Sequence, residues 1–229
     1  MAKKPRTGTC VYCGTVGPVT SDHVPPKCLF PPDTRVNLIT VDACEPCHDS
    51  FKLDDEYFRV TLSIRDDLPD GPASEFLREQ TKRTLRKPEA AGFRAAIRVA
   101  SRLVERRTPS GIYLGRSMAL YVDGTRVAST ARRLVRGLYS KFYGEILPQH
   151  CDVVVESLDL PSNQSAIRTE EVQELLAQTG RTGNRKQFSQ VLDVWYAKAG
   201  DDPHATFWVV QLHGAFGFFA FTLPCEDAT

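Results

Sequence analysis

Two CxxC pairs constrain this 229-residue chain more than any other feature: Cys10 and Cys13 in "CVYC", and Cys44 and Cys47 in "CEPC". Four thiolates in two such pairs suit one tetrahedral zinc ion. An ion of that kind staples a segment too small to hold its own core. The gap between Cys13 and Cys44 is 30 residues, longer than a zinc ribbon requires, so a further structure must be inserted between the two halves of the knot. The other cysteines, Cys28, Cys151 and Cys225, carry no motif and read as small apolar residues or free thiols.

Reading the pairs as a metal site presumes a reducing compartment. No apolar run is long enough to span a membrane, and the opening "MAKKPRTGTC" lacks the apolar stretch of a signal peptide. A cytoplasmic protein is therefore expected. With 41% hydrophobic and 25% charged residues, the length suffices for one large domain or two small ones. Formal net charge is only +1, but residues 77–145 hold 16 Lys or Arg against 5 Asp or Glu. A basic middle between acidic flanks is compatible with a polyanionic partner, and equally with solvated helix faces.

The chain divides at "DDLPDGPAS" (Asp66–Ser74), where Pro, Gly and Asp cluster. This break separates an expected module over 1–68 from an expected α+β accessory domain over 72–229. In the first part, "VNLITV" (Val36–Val41) reads as a strand, and a helix is expected from about Ala43 with Asp42 as its N-cap. In the second, helices are expected over 74–87, 89–107 and 125–144, with strands over 117–122 and 151–160 and a short acidic helix over 168–178. Within 89–107, Phe93, Ile97, Ala100 and Val104 would form an apolar stripe beside Arg94, Arg98, Arg102 and Arg106. The C-terminal runs 188–199, 205–213 and 214–223 read as an antiparallel meander. Their aromatics (Trp195, Tyr196, Phe207, Trp208, Phe216, Phe218, Phe219 and Phe221) are expected to pack as core. His150, His204 and His213 have no motif around them and read as exposed or satisfied histidines.

The residues between the CxxC pairs carry the chemistry. "SDHVPP" places Asp22 beside His23, neighbours that point to opposite faces of a strand. Asn37 follows, and His48 comes directly after Cys47. Histidine can act as a base near neutral pH, and Asp with His can hold a cation.

This order, "CVYC…SDHVPP…VNLITVDACEPCH", resembles the HNH endonucleases, the zinc-stapled branch of the ββα-metal (His-Me finger) nucleases. The resemblance covers about residues 8–60. It implies that His23 is the general base, that Asp22 and His48 hold a catalytic divalent metal such as Mg²⁺, and that Asn37, on the second strand, ties down the loop beneath the base. It implies a structural Zn²⁺ on Cys10, Cys13, Cys44 and Cys47, and a substrate that is nucleic acid, DNA before RNA. With one active site per chain, a monomer would nick and a homodimer could cut both strands. Lys52 stands where some members carry a second histidine. On the expected third helix, Arg132, Arg133, Arg136 and Lys141 are candidates to grip backbone phosphates. The alternative is a zinc-dependent nucleic-acid-binding or protein-interaction module that no longer cleaves.

Overall fold

The computed structural model describes residues 6–35, 37–158, 183–199 and 201–223, together with Glu174 and Ala177. The expected acidic helix over 168–178 and Cys225 lie outside the described residues, those two positions apart. The fold is α+β. A small antiparallel sheet opens the chain: β1 (Arg6–Thr9), β2 (Val16–His23) and β3 (Thr40–Ala43), in the order β1-β2-β3. Two helices follow, α1 (Glu45–Ser50) and α2 (Lys52–Ser63). Next come α3 (Pro72–Arg86), α4 (Ala91–Ala100), the hairpin of β4 (Ser101–Arg107) and β5 (Tyr113–Leu120), and α5 (Gly124–Tyr143). A five-stranded antiparallel sheet closes the chain. It contains β6 (Asp152–Ser157), β7 (Asn184–Phe188), β8 (Leu192–Lys198), β9 (Thr206–Leu212) and β10 (Phe216–Leu223), in the order β6-β10-β9-β8-β7.

The helix α5 organises the molecule. Asp123 caps its N-terminus by accepting from the backbone N–H groups of Thr125 and Arg126, and Gly144 ends it at φ 76°, a left-handed conformation that glycine adopts without steric cost. Val127, Ala131, Leu134 and Leu138 recur at helical spacing and are all buried. They belong to one apolar cluster that takes in Val24, Leu29 and Ile39 near β2 and β3, Phe58 and Leu62 on α2, and Trp208 and Phe218 on the large sheet. The strand period sorts the aromatics. Phe216 and Phe218 face this cluster, while Phe207 and Phe219 form a second cluster flanked by Trp195 and Phe221. The meander and its aromatic core are as expected. The break expected at 66–74 does not interrupt the core, which holds residues from both sides of it.

Four expected elements differ. The helix expected over 89–107 stops at Ala100, and 101–107 pairs with 113–120 as a hairpin. The four-residue spacing of its arginines fits a helix. However, the "TPSG" segment lets the chain turn back onto a partner strand, and pairing overrides the local pattern. The strand expected over 117–122 is the second half of that hairpin, shifted to 113–120. The strand expected over 36–41 is displaced to Thr40–Ala43, so Asn37 does not lie on it. Asn37 sits before the strand at φ 58°, a turn conformation that asparagine tolerates. Asp42 falls inside β3, where it accepts a hydrogen bond from Arg6. Cys44, not Asp42, occupies the N-cap of α1, and the expected continuous helix breaks at Phe51.

Candidate functional site

The four paired cysteines converge. The Sγ atoms of Cys10, Cys13, Cys44 and Cys47 all lie within 4.8 Å of one another. Cys10 and Cys13 sit in the turn from β1 to β2. That turn closes through Gly14, at φ 72°, whose N–H donates to the Cys10 carbonyl at 2.9 Å. Cys44 and Cys47 come from the cap and first turn of α1. Cys13 and Cys44 are 3.7 Å apart at sulfur, and a tetrahedron with Zn–S bonds of about 2.3 Å has edges of about 3.8 Å. A disulfide would need about 2.05 Å. Burial and the neighbouring thiols push the Cys47 thiol up, because thiolates this close repel without a cation between them. Spacing, donor type and geometry all fit one metal ion with sulfur ligands.

Beside this cluster, β2, β3 and the helix after it form a strand–strand–helix unit. β2 and β3 pair antiparallel, with Asp22 opposite Val41 and His23 opposite Thr40. Asp22 is 7% exposed, a burial a carboxylate tolerates only with partners. Its Oδ2 accepts from the Tyr12 hydroxyl at 2.8 Å and lies 4.0 Å from the Arg133 guanidinium. Its Oδ1 faces Nε2 of His48 at 3.9 Å. Two ligands of one ion with bonds of about 2.1 Å stand about 3.0 Å apart when adjacent and about 4.2 Å apart when opposite. The Asp22–His48 gap lies within that span, and no proton is shared across it.

His23, at the end of β2, is partly buried. Burial and then Lys27 hold its imidazole below the ordinary value, with smaller depressions from Arg35 and His48 against an opposing pull from Asp22. It is therefore neutral, and able to accept a proton, at neutral pH. Lys27 and Arg35 place positive charge around it. Asp22, His23 and His48 are thus brought together, while Asn37 sits in the turn between the paired strands. Lys52 is engaged on the surface, 2.7 Å from Asp49.

Two of the four expected phosphate contacts, Arg133 and Arg136, are used inside the fold, and a third, the exposed Arg132, makes one hydrogen bond to the backbone. Arg133 is buried, pairs with Asp55 and stacks over Phe51 with its guanidinium carbon 4.3 Å from the ring centre. Arg136 donates to the carbonyls of Leu147, Pro148 and Cys151, and Arg132 to that of Val153. Lys141 is exposed. The arginines anchor α5 because the carbonyls and carboxylate they meet lie in segments that only the fold brings near. Three residues at the site carry no sequence signal of their own, Tyr12, Lys27 and Arg35, while Arg133, expected at a phosphate, lies beside Asp22 and Asp55. Only Tyr12 has a positional hint, since it lies inside the first CxxC.

Comparison with protein-family models, with curated proteins and with solved structures finds no match for the chain. Among the described residues, no helix is long and apolar enough to cross a membrane.

Proposed function

We propose that this protein is a metal-dependent nuclease of the HNH type, acting on DNA. The observation that supports it most is the meeting of Asp22, His23 and His48 on a strand–strand–helix unit flanked by the four-cysteine cluster. In this reading the cysteine cluster holds zinc and has a structural role. Asp22 and His48 would hold a second, divalent cation, which supplies charge stabilisation at the phosphoryl oxygens. His23 accepts the proton of the attacking water through its imidazole, which burial keeps in the basic form. Tyr12 fixes the Asp22 carboxylate by donating to Oδ2, while Oδ1, which accepts from the His23 backbone N–H at 3.0 Å, faces His48. Lys27 and Arg35 attract the phosphate toward His23.

The test is cleavage of supercoiled plasmid after loosely bound metal has been removed and Mg²⁺ or Mn²⁺ added back. Cleavage should require the added ion, and His23→Ala should lower its rate by roughly 10²–10⁴-fold. Equal cleavage by the variant would remove His23 from the mechanism. One observation favours a second reading, a metal-stapled module that binds nucleic acid without cutting it. Arg133 stands 4.0 Å from Asp22 and competes with any cation for that carboxylate. DNA binding by wild type with no turnover in either metal would select this reading.

A further inference from the structure

The β4–β5 hairpin is a two-stranded ribbon that joins neither of the other two sheets. Isolated hairpins are marginal in water, and this one carries side chains that a solvated ribbon does not need. Leu103 is 58% exposed and Met118 63%. Leu114 and Tyr113 are also exposed. Between the ribbon and the body lies a cleft of about 450 Å³ lined in part by Ile64, Met118, Leu120 and Phe216, so the ribbon stands off from the core.

Its register defines two faces, since directly paired residues share a face and successive pairs alternate. Leu103 pairs with Met118 and Glu105 with Arg116 on one face. On the other, Arg102 pairs with Ala119, Val104 with Ser117 and Arg106 with Gly115. That second face has two arginines on one strand and only small residues opposite them. Across α4 and the ribbon, residues 91–120 contain six arginines (Arg94, Arg98, Arg102, Arg106, Arg107 and Arg116) and one carboxylate, Glu105. Arg94 is spent on the carbonyls of Leu85 and Lys87, Arg107 pairs with Glu105, and Arg106 reaches Asp66 at 3.7 Å. Arg98, Arg102 and Arg116 are exposed and have no ion-pair partner among the described residues.

We infer that the β4–β5 ribbon is a DNA-binding arm whose occupant is duplex DNA, gripped through Arg98, Arg102 and Arg116. The choice of DNA as the polyanion rests on the nuclease reading above. Charge complementarity supports it: the segment is strongly positive, its free guanidiniums are unpaired, and a duplex offers a dense row of phosphates. Shape agrees, because the major groove, about 12 Å wide, admits a two-stranded ribbon, and the register puts Arg102 on one face and Arg116 on the other, so that the two can meet phosphates on either side of it. Placement agrees as well. Arg106, close to the hairpin turn of the ribbon, meets Asp66 just beyond the end of α2, while the other end of α2 adjoins α1 and His48. A helix of 12 residues spans about 18 Å, roughly half a turn of duplex. One DNA molecule can therefore reach both the ribbon and His23.

The test is fluorescence anisotropy with the full-length protein and a labelled duplex of about 30 base pairs, without added divalent ion, over a salt series. Wild type should bind, and the triple substitution Arg98→Ala, Arg102→Ala, Arg116→Ala should weaken binding at least about tenfold at 0.1 M salt. It should also make the slope of log affinity against log salt shallower by about 3, one counterion per lost phosphate contact. Thermal melting checks that the variant is folded, as expected for three exposed sites. Unchanged affinity and slope would overturn the proposal even if plasmid cleavage stands. Absence of plasmid cleavage with the arginine effect intact would instead count against the nuclease reading alone. A second copy of this chain is the competing occupant. If sedimentation shows a dimer that Leu103→Glu with Met118→Glu converts to monomer while DNA affinity stays at the wild-type level, the ribbon is a dimer contact and the DNA proposal falls.

Discussion

At the scale of single residues, His213 joins the two ends of the chain. It follows β9 in a left-handed conformation, φ 53°, and is 3% exposed. Its Nε2 lies 3.1 Å from the carbonyl of Leu29, 184 positions earlier. A carbonyl only accepts, so Nε2 carries the hydrogen, and the buried Nδ1 finds no partner. Protonation would place a second N–H where no acceptor waits. Burial accordingly holds the imidazole down to about 4, from 6.5, against a smaller upward pull from the Leu29 carbonyl. Because the folded value lies below the unfolded one, the unfolded chain binds the proton first. The contribution of His213 is complete above pH 6.5 and is lost as pH falls from 6.5 to about 4. The full loss is on the order of 3 kcal/mol. Urea unfolding at pH 7 and pH 4.5 checks this against His213→Asn, which keeps a residue tolerant of the left-handed region. Wild type should weaken more in acid than the variant. Equal weakening would assign the acid sensitivity elsewhere. Nothing around His213 in the sequence announces this role, since the atom it meets comes from the opposite end of the chain.

At the scale of elements, α5 is pressed against the end of β2 at one point. A Cβ on Gly137 would lie 2.5 Å from Cγ2 and 2.9 Å from Cγ1 of Val24, the residue after His23. Glycine inside a helix ordinarily costs about 1 kcal/mol relative to alanine, so Gly137→Ala would stabilise an unpacked helix. Here the contact reverses the sign. The substitution should destabilise by roughly 1–3 kcal/mol, as overpacking does. If the proposed nuclease function holds, it should also slow plasmid cleavage by moving Val24 and with it His23. Val24→Ala added to Gly137→Ala should restore much of both. A Gly137→Ala protein as stable and active as wild type would show that the helix can shift without disturbing the strand. The stripe Val127, Ala131, Leu134, Leu138 made α5 legible in the sequence, as the apolar strand runs did for the C-terminal sheet. The same periodicity misread 101–107, because an arginine every fourth residue looks helical while the partner strand lies across a turn. At the site, Asp22, His23 and His48 were legible because the CxxC frame fixes their order. Tyr12 and Arg133, which hold Asp22, were not, since Arg133 reaches it from α5 only through tertiary packing.

At the scale of the whole molecule, the four-cysteine cluster and the core lie in different parts of one body. A metal ion held by the four sulfurs would tie the β1–β2 turn to the start of α1. The apolar cluster then joins that unit to α5 and the large sheet: Leu29, Phe58 and Leu62 share it with Leu134, Trp208 and Phe218. Arg133 adds a buried connection, from α5 to Asp55 on α2. If residues 1–68 unfolded by themselves, they would strip apolar cover from α5 and the large sheet, at a cost of about 25 cal/mol for each Å² of apolar surface left in water. The two halves should therefore unfold together. Calorimetry of the full chain should show one transition, and a chelator strong enough to strip thiolate-bound zinc should lower its midpoint by several degrees without splitting it. The shift follows from losing an ion that binds the folded state and not the unfolded one. Two separated transitions, with only the lower one moving on chelation, would mean that the metal-stapled unit folds independently of the rest. That outcome would support the boundary expected at 66–74.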